Sequence, residues 1–211
     1  VARVRVRQHV NPLSSKYQQS LSLPDWSQIY SNLSLPLHLD IGCARGRFLL
    51  EMAPQNPDIN FLGFEIREPL VIEANQLRDE ENLTNLHYLF GNINTSLEDI
   101  LNSLPADKIE LVMVQFPDPW FKKKHHKRRV IQPETVATLA KFLKSGSQIF
   151  LQSDIKEVAE EMCDRFLAHP SFNPLQPEIW LSENPIGVMT EREIATLHKG
   201  EPVYRTMLVR K

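Results

Sequence analysis

The 211-residue chain predicts an α/β fold, a mainly parallel sheet with helices on both faces. Three observations carry this. From residue 37 onward, short apolar runs alternate with longer stretches whose apolar residues recur at helical spacing. A glycine-bearing turn, Gly42-Cys43-Ala44-Arg45-Gly46, joins the first strand to the first helix. Polar residues stand at the ends of successive strands, where open α/β sheets place their chemistry.

Taken in order, residues 1–8 alternate valine with Arg3, Arg5 and Arg7, an extended arm with one cationic face. Residues 11–36 hold Pro12, Pro24 and Pro36 and no sustained periodicity, apart from a short helix over 25–33 with Asp25 or Pro24 near its start. Residues 1–36 therefore read as a basic arm and lead-in, and 37–211 as one domain. Within it Leu37–Ile41 is a strand, and 45–53 a helix with Phe48, Leu49 and Met52 on one side. Asn60–Glu65 is a strand, 67–81 a long helix, and Leu86–Phe90 a strand ending at Gly91. Residues 96–104 space Leu97, Ile100, Leu101 and Leu104 for one helix face. Ile109–Gln115 is the fourth strand, followed by a helix over 133–143 that starts with proline. A fifth strand over 147–152, a helix over 155–168 and candidate strands at 178–181 and 203–209 complete the pattern.

Composition narrows the class. The chain is 42% apolar and 24% charged, with no apolar run approaching 18 residues and no apolar core of a signal peptide. No membrane attachment is expected. Cys43 and Cys163 are far apart and lack ligand-like spacing to a histidine, which favours the reducing cytoplasm and no metal. The chain opens at Val1 without a methionine, so a few residues are expected to precede it. No obvious partner helix is present, which favours a monomer. The net charge is −2, yet six cations fall between Lys122 and Arg129, leaving −8 on the remainder. Polyanion binding must therefore be local, in this run and in the arm.

The most informative stretch is Phe116-Pro117-Asp118-Pro119-Trp120-Phe121, at the end of the fourth strand. Each proline fixes its own φ and keeps the residue before it out of the helical region, so Asp118 is held on stiff backbone. Aromatic rings stack on bases and cations bind phosphates, so this stretch with Lys122–Arg129 suggests a site acting on a nucleobase. The alternative is a turn followed by a solvated basic loop. Adjacent His125 and His126 are poorly spaced for a shared metal and fit phosphate better.

At the glycine turn, Gly42 permits the bend, while Ala44 and Gly46 let a ligand approach free N–H groups. Arg47 stands where a dinucleotide fingerprint needs glycine. Asp40 suits a cationic ligand such as an amino group beside a sulfonium. Glu65 could accept from two ribose hydroxyls, and Asn92 could read an adenine edge. That set selects S-adenosylmethionine over NAD; the alternative for the glycines is a purely structural turn. Asp154 is either a site residue or an N-cap, and Thr190-x-x-Glu193 has capping-box spacing.

Over nearly its whole length the chain resembles the tRNA (guanine-N7)-methyltransferase family. The shared elements are Arg5-Val6-Arg7-Gln8-His9-Val10-Asn11-Pro12-Leu13, Asp40-Ile41-Gly42 with Gly46, and Gly63-Phe64-Glu65. Phe116-Pro117-Asp118-Pro119-Trp120, Lys127-Arg128-Arg129 and Thr190-Glu191-Arg192-Glu193 complete them. The resemblance implies the Rossmann-like class I S-adenosylmethionine-dependent methyltransferase fold and methylation of N7 of a guanine in the tRNA variable loop. It implies cofactor contacts at Asp40, Gly42, Glu65, Asn92 and Asp118, with Asp118 also catalytic. It assigns Lys122, Asp154, Thr190 and Glu193 to substrate, and Lys124, His125, His126, Lys127, Arg128 and Arg129 to RNA. Asp40, Ala44 and Asn92 stand where the family commonly has Glu, Gly and Asp. Two other classes remain: a noncatalytic RNA-binding module, and a methyltransferase acting on an amino group.

Overall fold

The computed structural model describes residue 6 and residues 10–19 and 21–211; the arm with Arg3, Arg5 and Arg7 lies outside the described residues. The elements are α1 (Trp26–Ile29), β1 (Leu37–Ile41), α2 (Arg47–Gln55), β2 (Asn60–Glu65), α3 (Glu68–Glu80), β3 (Leu86–Phe90), α4 (Ile93–Ser103), β4 (Ile109–Gln115), α5 (Pro133–Phe142), β5 (Gln148–Ser153), α6 (Lys156–Leu167), β6 (Phe172–Pro174), α7 (Glu191–His198) and β7 (Tyr204–Arg210). The seven strands form one sheet in the order β3-β2-β1-β4-β5-β7-β6. β1 to β5 run parallel, and β7 is antiparallel to both its neighbours.

Strand alternation sends side chains to two cores, one on each face. Leu39, Ile41, Leu62, Val112, Val114 and Leu151 pack with Leu97, Ile100, Leu139, Val158 and Phe166 from α4, α5 and α6. Phe61, Tyr88, Met113 and Phe150 pack on the other face with Phe48, Leu49, Met52, Val71 and Ala74 from α2 and α3. Each such side chain, fully buried, contributes roughly 1.5–3 kcal/mol.

Local chemistry moves several boundaries from those the sequence suggests. Asp25 does cap α1, accepting from Ser27 N–H at 3.0 Å. The helix nevertheless stops at Ile29, because Tyr30 turns extended and drives its ring into the core, its hydroxyl on the Phe61 carbonyl at 3.0 Å. α2 starts after Gly46, whose φ of +71° cannot belong to a right-handed helix. α4 starts at Ile93, earlier than expected, because Asn92 caps it. Residues 178–181 are not a strand. The edge strand is β6, anchored by the buried Phe172 ring 5.0 Å from Phe166, and Leu181 keeps one N–H bond to the Arg205 carbonyl.

Candidate active site

The sheet order reverses at β1, with β2 and β3 to one side and β4 and β5 to the other. Such a switch point opens a crevice beyond the carboxyl ends of the strands. Asp40, Glu65, Asn92, Asp118 and Asp154 all lie at or just after strand ends on that edge. Gly42 bends the chain at φ +87°, and a Cβ there would meet no atom within 4 Å, so the turn is open to a ligand. Gly46 has a different role from the one its position suggests. A Cβ there would come within 2.5 Å of the Tyr88 ring, whose hydroxyl donates to the Gly46 carbonyl at 2.6 Å. It is glycine to accommodate Tyr88.

Asp40 and Glu65 are both buried, in opposite conditions. Glu65 accepts from Ala44 N–H at 3.0 Å, from Arg67 N–H at 3.0 Å, and from the Arg67 guanidinium at 2.9 Å on each oxygen. It ties the glycine turn to the start of α3. Asp40 has no ion-pair partner among the described residues, and accepts from Gln115 Nε2 at a long 3.4 Å. Burial pushes its carboxyl up to about 7, the Gln115 bond opposing and the Glu65 charge adding to the shift. A buried carboxylate without a cation beside an open turn fits the ammonium of S-adenosylmethionine.

Asn92 departs from the expected role. Its amide donates to the carbonyls of Pro12 at 3.0 Å and Tyr17 at 3.2 Å, while its oxygen accepts from Asn94 N–H at 3.2 Å. The side chain fastens the lead-in across the end of β3, with its amide hydrogens bound to backbone carbonyls.

Asp118 is partly buried on an unusual backbone. Phe116 and Trp120, on either side of Pro117-Asp118-Pro119, have φ of +49° and +43°, a strained region for aromatic residues. The bonds that hold the loop include Phe116 N–H to the Gln152 carbonyl at 2.8 Å, and Arg129 Nε to the Pro119 carbonyl at 2.8 Å. Burial alone would lower the Arg67 pKa; the hydrogen bonds and charge of Glu65, together with the charge of Asp118, raise it instead. Asp118, Arg67 and Glu65 thus belong to one electrostatic group.

The basic run forms a 3₁₀ turn over Lys123–Arg128 and divides into two sets. Lys122, Lys123, Lys124 and Lys127 are exposed, as is Phe121. Arg128 lies over the Trp120 ring at 4.9 Å, and His125 meets its edge. Arg129 is not part of that outer face. It is buried, and besides Pro119 its guanidinium binds Glu157 at 3.0 Å and Glu161. His126 turns inward to the same glutamates at 3.8 Å. His126, Glu157 and Glu161 bring potential metal ligands within 4.8 Å, but Arg129 and Arg165 already lie on the carboxylates, so the group reads as an ion-pair clasp. Expectation placed Arg129 and His126 on RNA; packing places them under the loop. Glu157, Glu161 and Arg165 were missed because their helical spacing matches any amphipathic surface.

Asp154 does not cap α6; its carboxylate accepts from Arg192 Nε at 2.9 Å. Thr190 caps α7 by accepting from Glu193 N–H at 3.1 Å, half of a capping box. The other half is absent, because Glu193 is fully buried and binds Arg205 at 2.7 Å, Asn184 at 2.9 Å and Gln152 at 3.3 Å. Its carboxylate therefore supports the segment from below and does not face solvent.

Replacing Arg129 tests the clasp. Breaking a buried ion pair costs about 3–5 kcal/mol, and the exposure of Glu157 puts this one near the lower end. Arg129→Met is expected to lower stability by that amount in urea denaturation, without changing the salt dependence of RNA binding. Wild-type stability with a reduced salt slope would return Arg129 to the RNA face.

A family model described as "Putative methyltransferase" matches residues 34–206. A tRNA (guanine-N(7)-)-methyltransferase of Microcystis aeruginosa is 58% identical over 207 residues, covering 98% of each chain. One from Synechococcus elongatus is 57% identical over all of this chain and 99% of its own length. Among solved structures, the 16S rRNA methyltransferase KamB superposes with a TM-score of 0.60 at 16% identity, covering 92% of this chain and 95% of its own. A precorrin-6y C5,15-methyltransferase from Geobacter metallireducens gives 0.53 at 13% identity, covering 88% and 86%. The structural likenesses establish the methyltransferase fold, and the near-full-length identity establishes that this chain belongs to the tRNA (guanine-N7)-methyltransferase family.

Proposed function

We propose that this chain transfers the methyl group of S-adenosylmethionine to N7 of a guanine in the variable loop of tRNA, forming 7-methylguanosine. The observation that carries the reading is the 58% identity over 98% of both chains with a tRNA (guanine-N(7)-)-methyltransferase. Residues 37–211 form the catalytic domain and 1–36 the arm and lead-in. Asp40 receives the cofactor's ammonium at the open Gly42 turn, and Glu65 exchanges its Arg67 partner for ribose hydroxyls. Bound S-adenosylmethionine supplies an electrophilic methyl on a sulfonium. N7 of guanine already carries a lone pair and no proton, so Asp118 need not act as a base. Held between two prolines, it aligns the guanine through N1–H and amino donors, or counters the positive charge that the base acquires.

Lys122, Asp154 and the 190–193 segment frame the substrate, and exposed Lys123, Lys124, Lys127 and partly exposed Arg128 face its phosphates. Phe121, 68% exposed among these cations, offers a ring to a base. No helix among the described residues is long and apolar enough to cross a membrane. The free thiols of Cys43 and Cys163 support work in the reducing cytoplasm, where the chain acts as a monomer. The direct test is methyl transfer to unmodified tRNA followed by nucleoside analysis; a methylated amino group, or no 7-methylguanosine, overturns the proposal.

Three consequences are measurable. Losing one preorganised electrostatic group typically costs about 10²–10³ in rate. Asp118→Asn, which keeps shape but not charge, is expected to lose that much in single-turnover methylation while the fold survives. A near-wild-type rate would leave Asp118 a turn residue.

Changing Lys123, Lys124 and Lys127 to Gln removes exposed charge without touching the clasp. The log–log salt slope of tRNA binding should fall by roughly 0.7–0.9 for each phosphate that no longer meets a cation. An unchanged slope would exclude the loop from the interface.

The third concerns pH. Asp40 titrates near 7 in the cofactor-free protein. An adjacent ammonium favours its carboxylate, so cofactor binding below that pH releases a proton, and affinity falls by up to about tenfold per pH unit as pH drops. Calorimetry in phosphate and in Tris should give different apparent enthalpies, a difference abolished by Asp40→Asn. Equal enthalpies in the wild type would remove Asp40 from the cofactor.

A further inference from the structure

Gln115 closes β4 and is the register partner of Gln152 on β5, which in turn pairs with Arg205 on β7. Asp40 is opposite Met113, two residues before Gln115, so all four side chains project from one face of the sheet. A continuous row of hydrogen bonds results. Gln115 Nε2 donates to Asp40 Oδ1 at 3.4 Å, and Gln152 Nε2 donates to Gln115 Oε1 at 2.7 Å and to Glu193 Oε2 at 3.3 Å. Glu193 is held by Arg205 and Asn184, and its own N–H is the one Thr190 caps. The row runs from the carboxylate of the cofactor crevice to the first turn of α7.

Two features argue against mere packing. Gln152 is fully buried and its Oε1 has no hydrogen-bond partner among the described residues, a cost that an aliphatic side chain of similar volume would avoid. The row also has a second possible polarity. Turning the Gln115 and Gln152 amides over together would present the Gln115 carbonyl to Asp40 and its N–H to Gln152 Oε1, satisfying that atom but withdrawing the Gln152 N–H from Glu193. An ionised Asp40 excludes the turned arrangement, because two acceptors would then face each other. An ionised Asp40 therefore requires the observed polarity, and only a neutral Asp40, whose O–H can donate to the Gln115 carbonyl, permits the turned one. An element with two arrangements, touched by both sites, is what coupling between sites requires.

We propose that Gln115 and Gln152 are positioning residues that couple occupation of the cofactor crevice at Asp40 to the placement of the 190–193 segment, and through it to tRNA affinity. The proposal rests on the assignment of Asp40 to cofactor and of 190–193 to substrate. In the cofactor-bound protein the amides are locked in one polarity, Glu193 keeps its bond from Gln152, and the N-terminus of α7 is held for tRNA. By linkage, bound tRNA strengthens the cofactor by the same factor.

The test uses the full chain, S-adenosylhomocysteine as cofactor probe and an unmodified tRNA transcript. The dissociation constant of S-adenosylhomocysteine is measured alone and with saturating tRNA, and that of tRNA with and without the probe. The wild type is expected to show one shared coupling factor, within the about 5–150-fold range usual for coupled sites. Gln152→Met should bring it towards one, leaving each binary affinity within about threefold. Gln115→Met should do the same to the factor and also weaken the probe alone, because it removes the donor to Asp40. A merely structural role would alter melting and binary affinities together and leave their ratio intact. Should Gln152→Met prove unfolded, the partly exposed Gln115→Met decides alone. A wild-type factor of one, or a factor that survives in the methionine variants, overturns the proposal while leaving both sites in place. Unchanged probe binding in Asp40→Asn would instead remove the cofactor assignment on which it stands.

Discussion

Three carboxylates are buried where the sheet opens, and the remaining site geometry follows from how each is compensated. A buried charge without a partner is expensive enough to reorganise its surroundings or to neutralise itself. Glu193 is matched by Arg205 and Asn184, so it becomes a structural anchor for α7. Glu65 is matched by Arg67 and by the N–H of Ala44, so it shapes the glycine turn. Among the described residues Asp40 is matched by a distant glutamine amide alone, and burial moves it towards the neutral form. Of the three, the uncompensated one borders the open face of Gly42. Burying Asp40 without a cation costs stability there, whereas at Glu65 and Glu193 the charge is compensated within the chain.

The Pro-Asp-Pro loop shows the same principle applied to conformation. Prolines stiffen Asp118 locally, but stiffness alone does not aim a side chain. Phe116 and Trp120 adopt positive φ, which aromatic residues tolerate only when tertiary contacts impose it. Those contacts come from β5 through the Gln152 carbonyl and from α6 through Arg129, which binds the Pro119 carbonyl while gripping Glu157 and Glu161. A cation inside the basic run is thereby diverted to hold the Pro-Asp-Pro loop. Its neighbours Lys122, Lys123, Lys124 and Lys127 stay exposed, on the solvent side of the 3₁₀ turn or just ahead of it.

The sheet was largely legible from residue patterns because parallel strands buried on both faces read as apolar runs; β1, β2, β3 and β4 have the predicted limits. The edge was less so. Phe172–Pro174 is too short and too polar to stand out, and 178–181 looked more like a strand than the segment that is one. Helix starts shifted wherever a cap or a left-handed glycine decided them, as at Asn92 and Gly46. In the crevice, residue types at strand ends singled out Asp40, Glu65 and Asp118, and the structure places all three along the carboxyl edge of the sheet. What sequence could not separate was charge that faces solvent from charge that faces inward: Arg128 and Arg129 are adjacent and chemically identical, yet one lies over Trp120 and the other is buried. Gly46 and Gly63 posed the same difficulty, since both are glycine for the sake of Tyr88, which is distant in sequence.

The choice of glutamine between Asp40 and Glu193 follows from what the two ends require. A lysine or arginine there would neutralise Asp40 permanently and compete with a cationic ligand. An aliphatic residue would leave Asp40 with no donor among the described residues and would cut the path to α7. An amide carries a donor and an acceptor without net charge, so it stabilises either form of Asp40 without fixing which one prevails. Two amides in register transmit that choice from β4 to β5, and the sheet itself supplies the alignment, because Gln115 and Gln152 are partners in the parallel ladder. The same ladder that builds the fold thus brings the buried Asp40 carboxylate and the first turn of α7 into one hydrogen-bonded row.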